Sequence, residues 1–390
     1  MALEDYTKAH QPDNPPRTQK LQTHILGLMI MSGLVGFGGG LLAIRVSPEI
    51  VSSTESITQR VVTENGELIA DIVDQVADSV VSINVTSLEE SFNPFFGSSS
   101  RESQSAGTGI ILTSDGLVVT NDHVIPDNVT EVSLVFNDGS VYDSVEVIGR
   151  EPFNDIAYLQ IKDVSGLKPA SLGDSDKVRV GQQVVAIGNA LGEFDTTVTS
   201  GIISGQGRPI LAGTGADTEL LVNLFQTDAS INPGNSGGPL LDMNGDIIAI
   251  NTAVAGNAEN IGFAIPINDV KPGIVSVEKH GELIRPYMGV RYITLNKEVA
   301  DDLDVETEVG ALIYDEQPSQ ATIAGSPADK AGLENGDVIK EVNGIALSEE
   351  KPLPNVVGRF QVGETVTLKV LRGGEELSID VTLEQAPANL

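Results

Sequence analysis

"INPGNSGGPLLDMNGDIIAI" occupies residues Ile231–Ile250, and the order of its parts decides which fold can hold it. Ser236 stands between Gly234 and the pair Gly237-Gly238, so one hydroxyl is surrounded by almost no side chain. Glycine at that density serves either a turn with unusual dihedrals or a backbone that another molecule approaches closely. The spacing Gly234-x-Ser236-x-Gly238 also satisfies the nucleophile-elbow pattern of α/β-hydrolases. That pattern requires a helix directly after the serine, with the acid and the histidine further downstream. Here Pro239 follows, then an apolar run, the turn "DMNGD" and a second apolar run. Strand, hairpin and strand stand where the helix should be, so a mainly β scaffold is predicted around the serine.

The same pattern extends in both directions. "GTGIILTSDGLVVTNDHVI", "EVSLVFNDGSVYDSVEVIGR", "DIAYLQI", "VVAIGNA", "TVTSGIISG" and "IGFAIPI" are short β-type runs separated by turn signals. Asp115-Gly116 and Asp138-Gly139 are hairpin dipeptides between alternating strands. Many short strands at this spacing predict a barrel or sandwich over residues 75–270. Upstream, "ELIADIVDQVADSVVSINV" begins with helical spacing and turns into strand near Val80, and "SLEESFNPFFGSSSRESQS" (87–105) reads as a mobile loop. "VKPGIVSVEKHGELIRP" reads as a break, after which strands alternate with short helical stretches at "SPADKAGL" and "LPNVVGRF". That predicts a second, smaller domain. No internal repeat is present.

Composition removes several classes of function. With 23 Lys and Arg against 55 Asp and Glu the formal charge is −32, which argues against nucleic acid as a partner, since that needs a positive footprint. Cysteine is absent, which excludes disulfides, thiolate catalysis and Cys-based zinc sites, and four histidines make a His-rich metal centre a poor expectation. "DMNGD" (242–246) resembles half a calcium loop but is read as a hairpin turn, so neither metal nor cofactor is expected.

"ILGLMIMSGLVGFGGGLLAI" (25–44) contains 20 residues without a charge. As a helix that is about 30 Å, enough to cross a bilayer. Lys8, Arg17 and Lys20 precede it, which predicts a cytoplasmic N-terminus and an extracytoplasmic remainder. The organisation expected is therefore a tail (1–24), a transmembrane anchor (25–44), a linker (45–68), a β domain (69–272) and a second domain (281–387).

A serine hydroxyl is a poor nucleophile without a base in hydrogen-bond reach and a third group to hold that base. His10 is in the tail, His24 at the edge of the apolar segment and His280 between the domains, so only His123, in "VVTNDHVI", lies in the domain that holds Ser236. Asp155, in "EPFNDIAYLQI", opens an apolar strand and is the carboxylate best placed to be drawn inward. The chain order His123, Asp155, Ser236 is that of the chymotrypsin-type double barrel.

"TNDHVI", "NDIAYLQI" and "TDASINPGNSGGPLLDMNGDIIAINTA" resemble the signatures of the HtrA/Deg family of trypsin-like serine proteases, from about Ile69 to the C-terminus. The resemblance implies two six-stranded β-barrels with the catalytic triad between them and a C-terminal PDZ domain, which "YMGVRYITL" and "GSPADKAGLENGDVIKEVNG" fit. Together with the anchor it implies the architecture of the family's membrane-tethered members. Carried over residue by residue, it implies Ser236 as nucleophile, His123 as general base and then acid, and Asp155 as orienter. It implies an oxyanion hole from the backbone of Gly234, Asn235 and Ser236, and an S1 pocket lined by Ile231 and Val254 that takes aliphatic side chains. Thr252 and Ala253 would pair with the substrate backbone. Tyr287, Met288, Gly289 and Val290 would form the carboxylate-binding loop of the PDZ domain, with Gly289 the one glycine of a loop that conventionally has two. The implied partners are unfolded or regulatory protein substrates, C-terminal peptides and two further copies in a homotrimer. Loops near 189–197, 206–218 and 254–261 would shift between inactive and active arrangements. The competing reading is a membrane-tethered PDZ peptide sensor or chaperone whose barrel no longer cuts.

Overall fold

A computed structural model describes residues 31–33, 66–93, 97–188, 197–212, 219–254 and 260–387, without the side chains of 89–99, 219, 253 and 254. The predicted span 25–44 lies outside the described residues except for Met31–Gly33, which are helical. Among the described residues no helix is long and apolar enough to cross a membrane. Of the three loops expected to move, residues 189–196, 213–218 and 255–259 lie outside the described residues, and residues 206–212 belong to a strand.

From residue 66 onward the chain opens with a helix, α1 (66–76), which buries Ile72 and Val76. The first module then forms from β1 (Val80–Asn93), β2 (Gly97–Ile111), β3 (Leu117–Thr120), β4 (Val129–Val135), β5 (Val141–Tyr142), β6 (Val145–Glu151) and β7 (Ile156–Ile161). These make a seven-stranded antiparallel sheet in the order β5-β4-β1-β2-β3-β7-β6. The second module comprises β8 (Gln183–Gly188), β9 (Thr197–Ala212), β10 (Glu219–Thr227), β11 (Pro239–Leu241), β12 (Ile247–Val254) and β13 (Gly262–Pro266). It closes as a six-stranded barrel in the order β10-β13-β12-β11-β8-β9. The mainly β expectation holds. The first module departs from six strands because the two-residue β5 folds back on the edge strand β4 through the turn at Gly139, whose φ is +81°.

Residues 87–105 depart further from the expected mobile loop. The β1–β2 register runs without interruption from Val80↔Ile110 to Asn93↔Gly97. Backbone ladder bonds need no apolar side chains, so a Ser-rich segment can continue a hairpin that its core-facing half has started. The expected break near 270–285 is also more ordered than its Pro and Gly suggest. It is a helix, α2 (Ile267–His280), with Pro272 inside it. Ile267, Val270, Ile274 and Val277 recur on one face and are buried in the core cluster shared with Val185, Ile250 and Tyr158. That burial outweighs the hydrogen bond that Pro272 forgoes.

The C-terminal domain has its own core, including Met288, Ile339, Val357 and Leu368. Its strands are β14 (Pro286–Tyr287), β15 (Tyr292–Leu295), β16 (Gly310–Ile313), β17 (Val338–Val342), β18 (Ile345–Ala346), β19 (Thr365–Arg372), β20 (Glu375–Thr382) and β21 (Glu384–Gln385). Between them lie α3 (Lys297–Leu303), α4 (Pro327–Ala331) and α5 (Leu353–Val357). The main sheet runs β15-β16-β17-β19-β20, so β15 is an edge strand. This domain docks on the β modules through polar contacts. Arg359 pairs with Asp269 of α2 at 2.6 Å and with Asp176 at 3.0 Å, and Asn355 of α5 donates to the Asn154 side chain at 3.0 Å.

Candidate active site

His123 sits in a single 3-10 turn, Asp122–Val124, at the end of the fully buried β3. Such a short turn at a strand end presents the imidazole outward from a rigid support, and the His123 side chain is 50 % exposed. Asp155 caps a second 3-10 turn, Pro152–Asn154, and immediately precedes β7. Its φ of +53° is left-handed, a conformation that Asp tolerates better than most residues. Asn121, completely buried, holds that backbone by donating from Nδ2 to the Asp155 carbonyl at 2.9 Å.

The two side chains meet. His123 Nδ1 lies 2.9 Å from both carboxylate oxygens of Asp155, and the His123 amide donates to Oδ1 at 3.1 Å. The Asp155 side chain is 6 % exposed, so its hydrogen bonds to the imidazole act in a low-dielectric setting. Beside them, burial raises the pKa of the Asp122 carboxyl above its ordinary value, although Arg150, at 2.9 Å, opposes the shift.

Ser236 arrives from the other barrel on residues 232–238. Asn235 N–H donates to Asn232 O at 3.1 Å and Gly234 has φ +104°. Pro233 at the second position and a positive-φ glycine at the third are the requirements of a type II turn. A cavity of about 330 Å³ is lined by His123, Ser236, Thr252, Ile231, Gly234 and Ala106, among others. The hydroxyl of Ser236 donates to the Thr252 carbonyl at 3.0 Å.

Of the three amides expected to face a substrate oxygen, Asn235 N–H closes the turn, which leaves those of Gly234 and Ser236. Ile231 lines the cavity and is 3 % exposed; the side chain of Val254 lies outside the described residues. Thr252 and Ala253 fall at a bulge in the β12–β13 register, between Asn251 and Val254, which takes them out of regular pairing. The Thr252 side chain does something that the sequence reading missed. It is buried, and its hydroxyl donates to Asp155 Oδ2. No sequence signal marks that contact, because 97 residues separate the partners.

In the C-terminal domain the carbonyls of Met288 and Gly289 accept from Ala328 and Ile323 amides, each at 2.9 Å. Tyr287 pairs with Glu384, and Val290 forms a bridge with Thr322. The loop Tyr287–Val290 thus leads directly into the open edge strand β15. Among the described residues no cluster of acidic or histidine side chains is arranged to hold a metal ion.

Comparison with known proteins agrees with this geometry. Residues 107–250 match the family model for a trypsin-like peptidase domain, and residues 286–383 match that for a PDZ domain. The periplasmic serine endoprotease DegP of Escherichia coli (strain K12) is 35 % identical, over 89 % of this chain and 78 % of its own. The serine protease Do-like HtrA of Bacillus subtilis (strain 168) is 36 % identical, over 83 % and 74 %. The solved structure of the HtrA-type protease AlgW with decapeptide superposes with a TM-score of 0.60 at 30 % identity, covering 82 % of this chain and 98 % of that one. The chain belongs to the HtrA/DegP family of trypsin-like serine proteases and carries one PDZ domain.

Proposed function

We propose that this protein is an ATP-independent serine endopeptidase that acts outside the cytoplasm on misfolded or regulatory proteins, under control of peptide binding at its PDZ domain. The observation that carries the reading is the pairing of His123 with buried Asp155 at 2.9 Å, with His123 and Ser236 lining one cavity.

In this reading Ser236 Oγ attacks the scissile carbonyl while His123 Nε2 takes its proton. Asp155 accepts from Nδ1, holds the tautomer and stabilises the imidazolium that forms. The amides of Gly234 and Ser236 receive the oxyanion, where loss of one such donor typically lowers the rate about 10²–10³-fold. His123 then returns the proton to the leaving amine, and water repeats the sequence on the acyl-enzyme. Ile231 supplies an apolar S1 wall suited to small or medium aliphatic side chains.

The open edge of β15 suits a peptide that adds as a strand, with its terminal carboxylate on the amides of the Tyr287–Val290 loop. The uncharged segment 25–44 is proposed as a membrane anchor with the catalytic domain outside, and the assembly as a homotrimer. Membrane fractions washed at alkaline pH and light scattering of the detergent-extracted protein test those two points.

The central experiment compares wild type with Ser236→Ala on an unfolded casein-like substrate, with and without C-terminal peptides. Turnover by wild type alone is expected; equal turnover would remove the assignment. A serine-directed phosphonate that fails to label Ser236 even with peptide present would favour the peptide-sensor reading.

A further inference from the structure

Strand β2 carries the sequence Gly107-Thr108-Gly109, and alternation along a strand sends its side chains to opposite faces. A Cβ on Gly107 would lie 2.6 Å from Val124 and one on Gly109 would lie 2.8 Å from Val118, so both glycines sit tight against the interior of the first module. Thr108 faces the other way, toward the serine loop of the second barrel, and is completely buried. Its backbone amide donates to Ser236 O at 2.9 Å and its hydroxyl donates to Gly234 O at 2.6 Å. Its own carbonyl accepts from the Thr120 hydroxyl at 2.7 Å, which ties it to the last residue of β3, three residues before His123.

These bonds form a pattern. The 234–235 peptide is held at both ends, by Thr108 Oγ1 on its carbonyl and by Asn232 O on its amide. So is the 236–237 peptide, by Thr108 N–H and by Asn251 O. The peptide between them has its carbonyl, Asn235 O, held by the Gly238 amide at 3.1 Å, which turns the Ser236 N–H the opposite way. Of the candidate oxyanion donors, the Ser236 N–H belongs to the 235–236 peptide, between the two that Thr108 fixes, and the Gly234 N–H to the 233–234 peptide, directly before the first of them.

We propose that Thr108 is a positioning residue of the oxyanion loop, whose hydroxyl sets the orientation of the Gly234 and Ser236 amides from across the cleft. This rests on the proposed protease reading and adds a residue to it. Without the hydroxyl, the Gly234 carbonyl is left buried and unpartnered, and the 234–235 peptide is free to rotate. The ground-state complex, which needs no oxyanion, is little affected.

The test compares Thr108→Val, which keeps the shape and loses the donor, with Thr108→Ser, which keeps the donor. On a peptide substrate the valine variant is expected to lose about ten- to a hundredfold in kcat with KM within about threefold, and the serine variant to stay within about threefold of wild type. Affinity for a peptidyl boronate should fall with kcat, while affinity for the cleaved product peptide stays constant. Should the valine variant fold poorly, the Thr108→Ala and Thr108→Ser pair isolates the hydroxyl in the same way. Hydrogen exchange at the Asn235, Gly237 and Gly238 amides reads the loop independently of turnover: faster exchange in the valine or alanine variant but not in the serine variant supports the role. Wild-type exchange and wild-type kcat in the donor-less variants would overturn it. A wild-type enzyme that cuts nothing would remove the protease reading, and the exchange result would still decide the role of Thr108.

Discussion

Replacing Arg359 by Met removes the cation from the seam between the PDZ domain and α2 while keeping much of its aliphatic length. The Asp269 side chain is only 6 % exposed, and Arg359 at 12 % exposure covers it with a 2.6 Å ion pair. Asn223 Nδ2, at 2.7 Å from Oδ2, remains as a neutral donor. Burial already raises the pKa of the Asp269 carboxyl above its free value, and Arg359 is the first of the groups that hold it down. Removing one partner of a buried pair costs about 3–5 kcal/mol when the other charge stays buried. Water entering the seam lowers that, so about 3 kcal/mol is expected at pH 7.5, a fall in Tm of roughly 5 °C or more. The pH dependence has a definite sign. A carboxyl whose folded pKa is raised destabilises the fold in its ionised form, so the penalty is absent below the free value of 3.8 and grows as pH rises through the folded value. The variant should therefore regain stability relative to wild type as pH is lowered from 7.5 to 5, and Asp269→Asn in the same chain should restore most of the loss at pH 7.5. Differential scanning calorimetry with limited proteolysis at the 281–285 segment distinguishes unfolding from undocking of the PDZ domain. A melting profile for Arg359→Met that matches wild type at every pH would refute the idea that this pair holds the seam.

Three further outcomes are expected. Thr252→Val, which removes the hydroxyl that donates to Asp155 but keeps the carbonyl that receives the Ser236 proton, should lower kcat about tenfold with little change in KM, while Thr252→Ser retains activity. Gly237→Ala would force a methyl against the Thr108 carbonyl and the Thr120 hydroxyl at φ +82°; a stability loss of about 2–4 kcal/mol in urea, or loss of phosphonate labelling if the loop yields instead, is the expected result. Hydrogen bonds from Asn268 and Lys177 push the pKa of the Asp174 carboxyl down to about 2. Its contribution is present above 3.8 and lost as pH falls through about 2, so Asp174→Asn should cost at most about 1 kcal/mol near pH 6, its side chain being 41 % exposed, and the difference should vanish in urea melts near pH 2.

Much of the β architecture was legible because short-range rules govern it. Asp115-Gly116 and Asp138-Gly139 marked hairpins, and Gly116 and Gly139 do hold positive φ there. The segment at 270–285 was misread because Pro272 and Gly281 look like breakers, whereas Gly281 is only the left-handed cap that ends α2. The Ser-rich arm of β1 and β2 was misread because an extended ribbon leaves no trace in hydrophobicity. That the Asn235 amide closes a turn was not legible, since the backbone hydrogen bond that engages it has no side-chain signature.

From the sequence by itself came the mainly β class, the two-domain order, and the three residues His123, Asp155 and Ser236. Residue types with rare chemistry, and glycines where Cβ atoms cannot fit, are written directly in the chain. The tertiary structure alone decided which groups hold those residues, Thr252 on Asp155 and Thr108 on the serine loop, and which pair, Arg359 with Asp269, joins the domains. Each of these contacts joins segments 90 or more residues apart through hydrogen bonds of fixed geometry. Local pattern carries no information about that geometry until the strands have paired.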